Sequence, residues 1–515
     1  MTLQRFIAST VVAALTVTGC SDQPAPAGPG PIRHPVSADL SQQQPGRYIV
    51  LFAAEQVPPD FAERVATLGG SVETSLDGIG VATITGLSRA GAAELAGGSD
   101  VQAVEPDRVV TLKPDGVDDG GASIELTPSE TTPAPADATA SPTAAQLYAR
   151  QWNMRAVFAD QAWAAGHRGS RDVVVALLDS GLDYTLPDFD GLVDLSRSRS
   201  FTPDEDPIVA ERFPGRLPIS DLFSHGTAVA SVIGSKGTIL AGVNQDVTLI
   251  AVKVFNRLNE GSVAQLLAGL VYAADQGADV INMSLGDTFD RRKDRASVAA
   301  VNRAANYAFR KGAVLVASSG NDAAELDHNG DVVVLPCEAP HVICVSATGP
   351  TSNAGVNGPW VDVDAFVTLY SNYGRFAIAV AAPGGTGDFA DPTRLQFGRI
   401  WTLCTTTPTE VSFPACLAGR PIAQPFGTSL SAAHVSGLAA LLVAQLGHGK
   451  PGRIRSRILH SADDLGAPGK DPYYGWGRIN IARALGLLGG IDRDDDEDKA
   501  DESRVVVMGH PNRKE

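Results

Sequence analysis

Asp172-Val-Val-Val-Ala-Leu-Leu-Asp179 is an unbroken apolar run between two carboxylates, followed at once by Ser180-Gly181. A run of strand length with no polar alternation is buried on both faces, which is the situation of a strand in a parallel sheet covered by helices on each side. Val247-Thr-Leu-Ile-Ala-Val-Lys-Val254, Asp279-Val-Ile-Asn-Met-Ser284 and Ala313-Val-Leu-Val-Ala-Ser318 read the same way. Helical stretches, Ser262 to Gln276 and Ser297 to Lys311, lie between them. Strands alternating with helices predict an α/β body with a parallel sheet as the middle of three layers. Sites in such sheets form beyond the carboxyl ends of the strands, where Asp179, Ser284 and Asn321 fall.

Outward from that body, the 515 residues carry 41 Lys and Arg against 58 Asp and Glu, a formal net charge of −17. The length suggests two to four folding units. An acidic chain without a long basic run argues against nucleic-acid binding. No stretch beyond the N-terminus is read as approaching the roughly 20 apolar residues that cross a bilayer, which excludes a channel or transporter.

The first twenty residues read as a targeting segment: Arg5, an apolar stretch Phe6 to Val17, then Val17-Thr18-Gly19-Cys20. This pattern resembles a bacterial lipobox, which implies lipid attachment at Cys20; a plain secretory signal is the alternative. Residues 21–45 are a Pro- and Gln-rich tether, and 113–147 a second linker of low complexity. Residues 491–515 form an acidic tail that lacks the turn glycine of an EF-hand loop. Two bodies are left, 46–112 and 148–490. For an exported chain, Cys337, Cys344, Cys404 and Cys416 are an even set in an oxidising compartment. Of three connectivities, proximity favours Cys337–Cys344 and Cys404–Cys416; four unpaired thiols are the other possibility.

Three segments carry chemistry: Asp179-Ser-Gly-Leu-Asp183, Ser224-His225-Gly226-Thr227 before a helix of small residues, and Phe426-Gly427-Thr428-Ser429-Leu430-Ser431-Ala432-Ala433-His434 opening an apolar helix. A serine hydroxyl is a weak nucleophile near neutral pH. It needs an imidazole to take its proton and a carboxylate to hold that imidazole in the right tautomer. His434, one turn into its helix, reads as a packed structural histidine.

These segments resemble the aspartate, histidine and serine motifs of the subtilisin-like serine proteases, in the same chain order. The resemblance covers most of 150–488, including Ile281-Asn-Met-Ser-Leu-Gly286 and Tyr474-Gly-Trp-Gly-Arg-Ile-Asn480. It implies Asp179, His225 and Ser429 as the triad and Asn321 as an oxyanion-hole donor. It also implies Ser284, Leu285 and Gly286 as the segment that pairs with an extended substrate. Asp322, beside Asn321, is expected to line a subsite and favour a basic side chain. Leu186, Ala228, Leu430 and Ala433 depart from residues usual in the family, and none is a triad member. The loop Gly234 to Gly242 lacks the family's asparagine-bearing calcium segment. No cofactor is expected, and the usual strong calcium site is in doubt.

Residues 46–112 alternate strand and helix: Arg47 to Phe52, Asp60 to Leu68, Ile79 to Thr85, a helix from Ser88, and Val101 to Val110. This suggests a small ferredoxin-like α+β sandwich that resembles the family's propeptide, which assists folding and inhibits. With Cys20 upstream of it, cleavage within about 111–147 is expected to free the enzyme from its lipid anchor. The whole predicts an exported, self-processing serine endopeptidase, monomeric, with polypeptide substrates and no membrane contact beyond the lipid. A catalytically silent surface-binding protein and a sedolisin-like acid peptidase are the competing readings.

Overall fold

The computed structural model describes residues 43–111, 141–353, 355, 357–387 and 398–488. The targeting segment with Cys20, nearly all of the tether, most of the 113–147 linker and the acidic tail lie outside the described residues.

The strand Gly169–Asp179 lies inside a seven-stranded sheet. Across the sheet the order is Val380–Pro383, Val342–Thr348, Val314–Ser318, Val280–Met283, Gly169–Asp179, Asp246–Lys253 and Arg199–Ser200. Every neighbouring pair is parallel. Four of these strands are the runs read from the sequence; the two at the Val380 side and the short Arg199–Ser200 edge are additions.

Side chains of Gly169–Asp179 alternate between two apolar layers, as a period of two requires. Val173, Val175 and Leu177 pack with Leu430, Val435 and Leu438 of the helix Thr428–Leu446. Val174, Ala176 and Leu178 pack with Val263, Leu267 and Leu270 of the helix Val263–Asp275, beside the helix Arg295–Arg310. Each fully buried side chain of this kind contributes roughly 1.5–3 kcal/mol. The serine helix Thr428–Leu446 corrects the sequence reading in one respect. By length and composition it is apolar enough to cross a membrane. It is instead the central helix of the core, with 83% of its apolar window buried inside the protein.

The N-terminal body has four antiparallel strands in the order Ser71–Leu76, Val81–Thr85, Gln43–Phe52 and Val101–Thr111. The polar strand Ser71–Leu76 was not anticipated. The first strand begins at Gln43, inside the stretch read as tether. Tyr48, Val50 and Phe52 face the body's own helices, Phe61–Thr67 and Arg89–Ala96, while Ile49 and Leu51 join the core of the large body. The strand Val101–Thr111 pairs with Glu260–Ser262 of the large body, Val109 opposite Ser262 and Thr111 opposite Glu260. Two carboxylates of the same strand cap helices of the large body. Asp107 Oδ1 accepts from the Ala264 N–H at 3.1 Å. Glu105 accepts from the N–H groups of Ala296 at 2.7 Å and Ser297 at 3.1 Å. An anion at a helix N-terminus satisfies orphan donors and meets the positive end of the helix dipole. Before residue 148 the chain already belongs to the large body, since Ala145 and Leu147 are buried in its core.

Candidate active site

Asp179 is the last residue of its strand and is buried. Its Oδ1 accepts from the Ser180 N–H at 2.7 Å and bonds His225 Nδ1 at 2.7 Å. His225 is the first residue of the helix His225–Ile233. Gly226 lets that helix approach so closely: a Cβ there would collide with the Gly181 carbonyl and sit 3.2 Å from the Asp179 side chain.

The turn that delivers His225 is organised by a residue that the sequence reading missed. Asp221 is fully enclosed, and its two oxygens are met by donors alone. Oδ1 accepts from Ser180 Oγ at 2.9 Å, the Phe223 N–H at 3.0 Å and the Ser224 N–H at 2.8 Å. Oδ2 accepts from the N–H and the hydroxyl of Thr227 at 2.8 and 2.7 Å. Burial pushes the Asp221 carboxyl up, opposed by these bonds to Thr227, Ser224 and Phe223. Five donors and no acceptor favour the ionised form. Ser180 Oγ in turn accepts from the Gly226 N–H at 3.0 Å, tying the aspartate segment to the helix start. Ser224 holds a left-handed φ of 89°, which costs a non-glycine residue energy and is sustained by these bonds. An acid ahead of a helix start was the legible signal for Asp221.

A second clasp comes from the segment closed by Cys404–Cys416. The structure pairs these cysteines, and pairs Cys337 with Cys344. Thr405 and Thr407 hydroxyls donate to the Asp221 carbonyl at 2.7 and 2.9 Å, and Ser412 Oγ donates to the Phe223 carbonyl at 2.7 Å.

Ser429 is the second residue of the serine helix, which packs against the histidine helix. Its Oγ donates to the Ser284 carbonyl at 3.4 Å, and Ser284 Oγ donates to the Ser429 carbonyl at 2.7 Å. Behind Ser284, Asn282 Nδ2 donates to Ser284 Oγ at 2.9 Å, and Ser436 Oγ donates to Asn282 Oδ1 at 2.8 Å. Asn321 Oδ1 accepts from both the N–H and the hydroxyl of Thr428, at 2.9 and 2.8 Å. That fixes the amide with its oxygen on the first residue of the serine helix, next to Ser429. Leu285, Gly286, Asp287, Asn321, Asp322 and Ser429 line one cleft.

His434 is a buried structural histidine. Its Nδ1 bonds the Leu430 carbonyl at 2.7 Å, its Nε2 bonds Asn153 Nδ2 at 2.9 Å, and burial lowers its pKa to about 4. Asp183 is held below the usual carboxylate range: burial pushes it up, but hydrogen bonds from Thr406, Thr185 and Arg216 outweigh that. Among the described residues, no group of three or more His, Cys, Asp or Glu is arranged to hold a metal ion.

The model of the subtilase family matches residues 170–477. The chain is 30% identical over 343 residues to the thermophilic serine proteinase of Bacillus sp. strain AK1, spanning 65% of this chain and 67% of that one. It is 26% identical over 333 residues to the minor extracellular protease Epr of Bacillus subtilis, spanning 64% of this chain but only 41% of that one. Among solved structures, the epidermin leader peptide processing serine protease of Staphylococcus aureus superposes with a TM-score of 0.65. The match covers 86% of this chain and 98% of that one, at 20% identity, and shows a common fold.

Proposed function

Because this chain belongs to the subtilase family of serine-type peptidases, we propose that it is an endopeptidase that cuts polypeptides through an acyl-enzyme on Ser429. The observation that carries this reading is the 2.7 Å bond between Asp179 and His225, at a helix start that packs against the helix of Ser429. With Asp179 ionised, the imidazole proton sits on Nδ1, and Nε2 is the basic nitrogen. Nε2 takes the hydroxyl proton as Ser429 Oγ bonds to the substrate carbonyl carbon. The carbonyl electron pair moves to oxygen, where the Asn321 amide and the Ser429 N–H donate to it. His225 then passes the proton to the leaving amine as the C–N bond breaks. Water repeats the sequence with Ser429 Oγ as leaving group. Side chains and backbone supply every step, so no cofactor enters the proposed chemistry.

Ser429→Ala is expected to lower kcat by about 10⁶, the scale known from subtilisin itself. Unchanged peptide hydrolysis by that variant would refute the reading. A silent binding protein would show no Ser429-dependent hydrolysis, and an acid peptidase would peak at low pH instead of near neutral or alkaline pH.

The chain is further proposed to be an exported zymogen. Support comes from the strand Val101–Thr111, whose end pairs with the large body and whose Glu105 and Asp107 cap two of its helices. That placement supports a role for the N-terminal body in assisting folding and in inhibition. Lipidation at Cys20 and cleavage within 111–147 would hold the precursor at a membrane and release the enzyme. Fractionation of cells expressing wild type and Ser429→Ala tests this: wild-type enzyme is expected in the soluble fraction and the variant in the membrane. Membrane-bound wild-type enzyme after loss of the N-terminal body would overturn it.

A further inference from the structure

Arg108 lies on the strand Val101–Thr111, just before the residues that pair with Glu260–Ser262. Its guanidinium leaves the N-terminal body and enters a small site on the large one. Nη2 donates to Asp287 Oδ2 at 2.8 Å, Nη1 reaches Asp294 Oδ2 at 3.4 Å, and the group lies over the Phe289 ring, 4.7 Å from its centroid. Two carboxylates and an aromatic face form the arrangement that a planar cation recognises.

The site is organised by the large body alone. Asp287 Oδ1 accepts from the Thr288 N–H at 2.7 Å, and Asp294 Oδ2 accepts from the Asp290 N–H at 2.8 Å. The Phe289 ring is buried in the core, and the strand Asp287–Asp290 is held by Val332–Leu335. All three side chains are therefore oriented by bonds that outlast departure of the N-terminal body. Asp287 also lines the cleft that holds Ser429 and Asn321, so the site is continuous with the proposed reaction centre.

We propose that Asp287, Asp294 and Phe289 form a subsite for a basic side chain, arginine above all, four or more residues before the scissile bond of a substrate. Arg108 fills this subsite in the uncut chain, and a substrate that adds a strand along Glu260–Ser262 offers its own guanidinium once the N-terminal body has gone. The proposal rests on the peptidase reading and on the departure of that body. The three residues do not touch the reacting atoms; they determine specificity. A remote contact of this kind acts mainly on KM when it holds ground state and transition state alike. Partial exposure of both carboxylates, 20% and 27%, makes the attraction sensitive to salt.

The test uses enzyme matured from the full-length chain, with active sites counted by fluorophosphonate labelling. The substrates are one fluorogenic peptide series carrying arginine, citrulline or alanine at each of the fourth to sixth positions before the cut. Citrulline keeps the shape of arginine without its charge. At one of these positions arginine is expected to raise kcat/KM about tenfold over citrulline, through KM. This preference should shrink to about twofold in Asp287→Asn and in Asp294→Asn, and in wild type at 0.5 M salt. Equal cleavage of arginine and citrulline peptides by labelled, active wild-type enzyme overturns the subsite while leaving the peptidase reading intact. Absence of both labelling and cleavage overturns the peptidase reading, and this one with it. The comparison of peptides on wild-type protein needs no variant to fold.

Discussion

The two sides of the cleft are held by different physics. On the serine side, Ser429 begins a helix whose residues 428 to 443 are all buried, laid across a parallel sheet, with the Ser284, Asn282 and Ser436 bonds behind it. On the histidine side, His225 follows a turn whose shape depends on one buried carboxylate and on hydroxyls from residues 405 to 412. Apolar burial is non-directional and tolerant, whereas a polar clasp fails when one partner is removed and its buried mates are left unsatisfied. The nucleophile is thus placed mainly by the core, and the base by its own buried helix together with a few hydrogen bonds in the turn ahead of it.

Changes at Asn321, at Asp221 and at the two disulfides probe this difference. Asn321→Ala, on the serine side, should leave the protein folded and cost about 10²–10³ in kcat, the scale known from subtilisin for one oxyanion donor; steady-state kinetics with a fixed peptide checks it. Asp221→Ala should cost about 10² in kcat although Asp221 touches no reacting atom, because a displacement of about 1 Å at His225 is enough. A lowered kcat with KM unchanged would mark the loss as one of positioning, and Asp221→Asn should not rescue it, since its amide would set a donor against the donors of Ser224 or Thr227. A smaller effect separates the disulfides. Cys404→Ser with Cys416→Ser should lower kcat about tenfold and stability by about 3 kcal/mol. Cys337→Ser with Cys344→Ser should lower stability while leaving kcat within twofold.

A further effect, with no consequence for kcat, is read in stability alone, through the buried histidine of the serine side. His434 has a folded pKa of about 4, below its ordinary value of 6.5. The unfolded chain therefore takes up a proton before the folded one does. The stability associated with the neutral ring is complete above pH 6.5 and is lost as pH falls toward 4, by about 3 kcal/mol. His434→Gln in a Ser429→Ala background, which cannot digest itself, should flatten that part of the stability curve. An unchanged slope in chemical denaturation across this window would contradict it.

What could be read in the sequence follows the same division. Asp172 to Asp179 and Ala313 to Ser318 are strands because they are apolar throughout, and the order of Asp179, His225 and Ser429 is preserved in short motifs. Val342-Ile-Cys-Val-Ser-Ala-Thr348 is also a buried strand, but its apolar run is interrupted by Ser346 and ends at Thr348, which weakens the signal. Ser71–Leu76 gave almost none, because its edge position leaves half of its residues exposed, all of them polar. Asp221 carried a local signal, an acid ahead of a helix start, whereas the hydroxyls that clasp its turn carried none. Their partners lie 184 to 189 residues apart in the chain, from Thr405 and Ser412 back to Asp221 and Phe223, and no local pattern encodes such a pairing. The docking of Arg108 on Asp287, 179 residues away, was hidden in the same way.

Reactivity of the nucleophile tests the arrangement of the cleft most directly. A fluorophosphonate probe applied to wild type, Ser429→Ala, His225→Ala and Asp221→Ala, with the adduct located by peptide mass mapping, reads the serine and its base together. Wild type should carry one adduct, on the peptide containing Ser429. Ser429→Ala should carry none, His225→Ala should label at least a thousandfold more slowly, and Asp221→Ala should fall between. An adduct on another residue, or equal labelling of wild type and His225→Ala, would contradict the proposal that His225 activates Ser429.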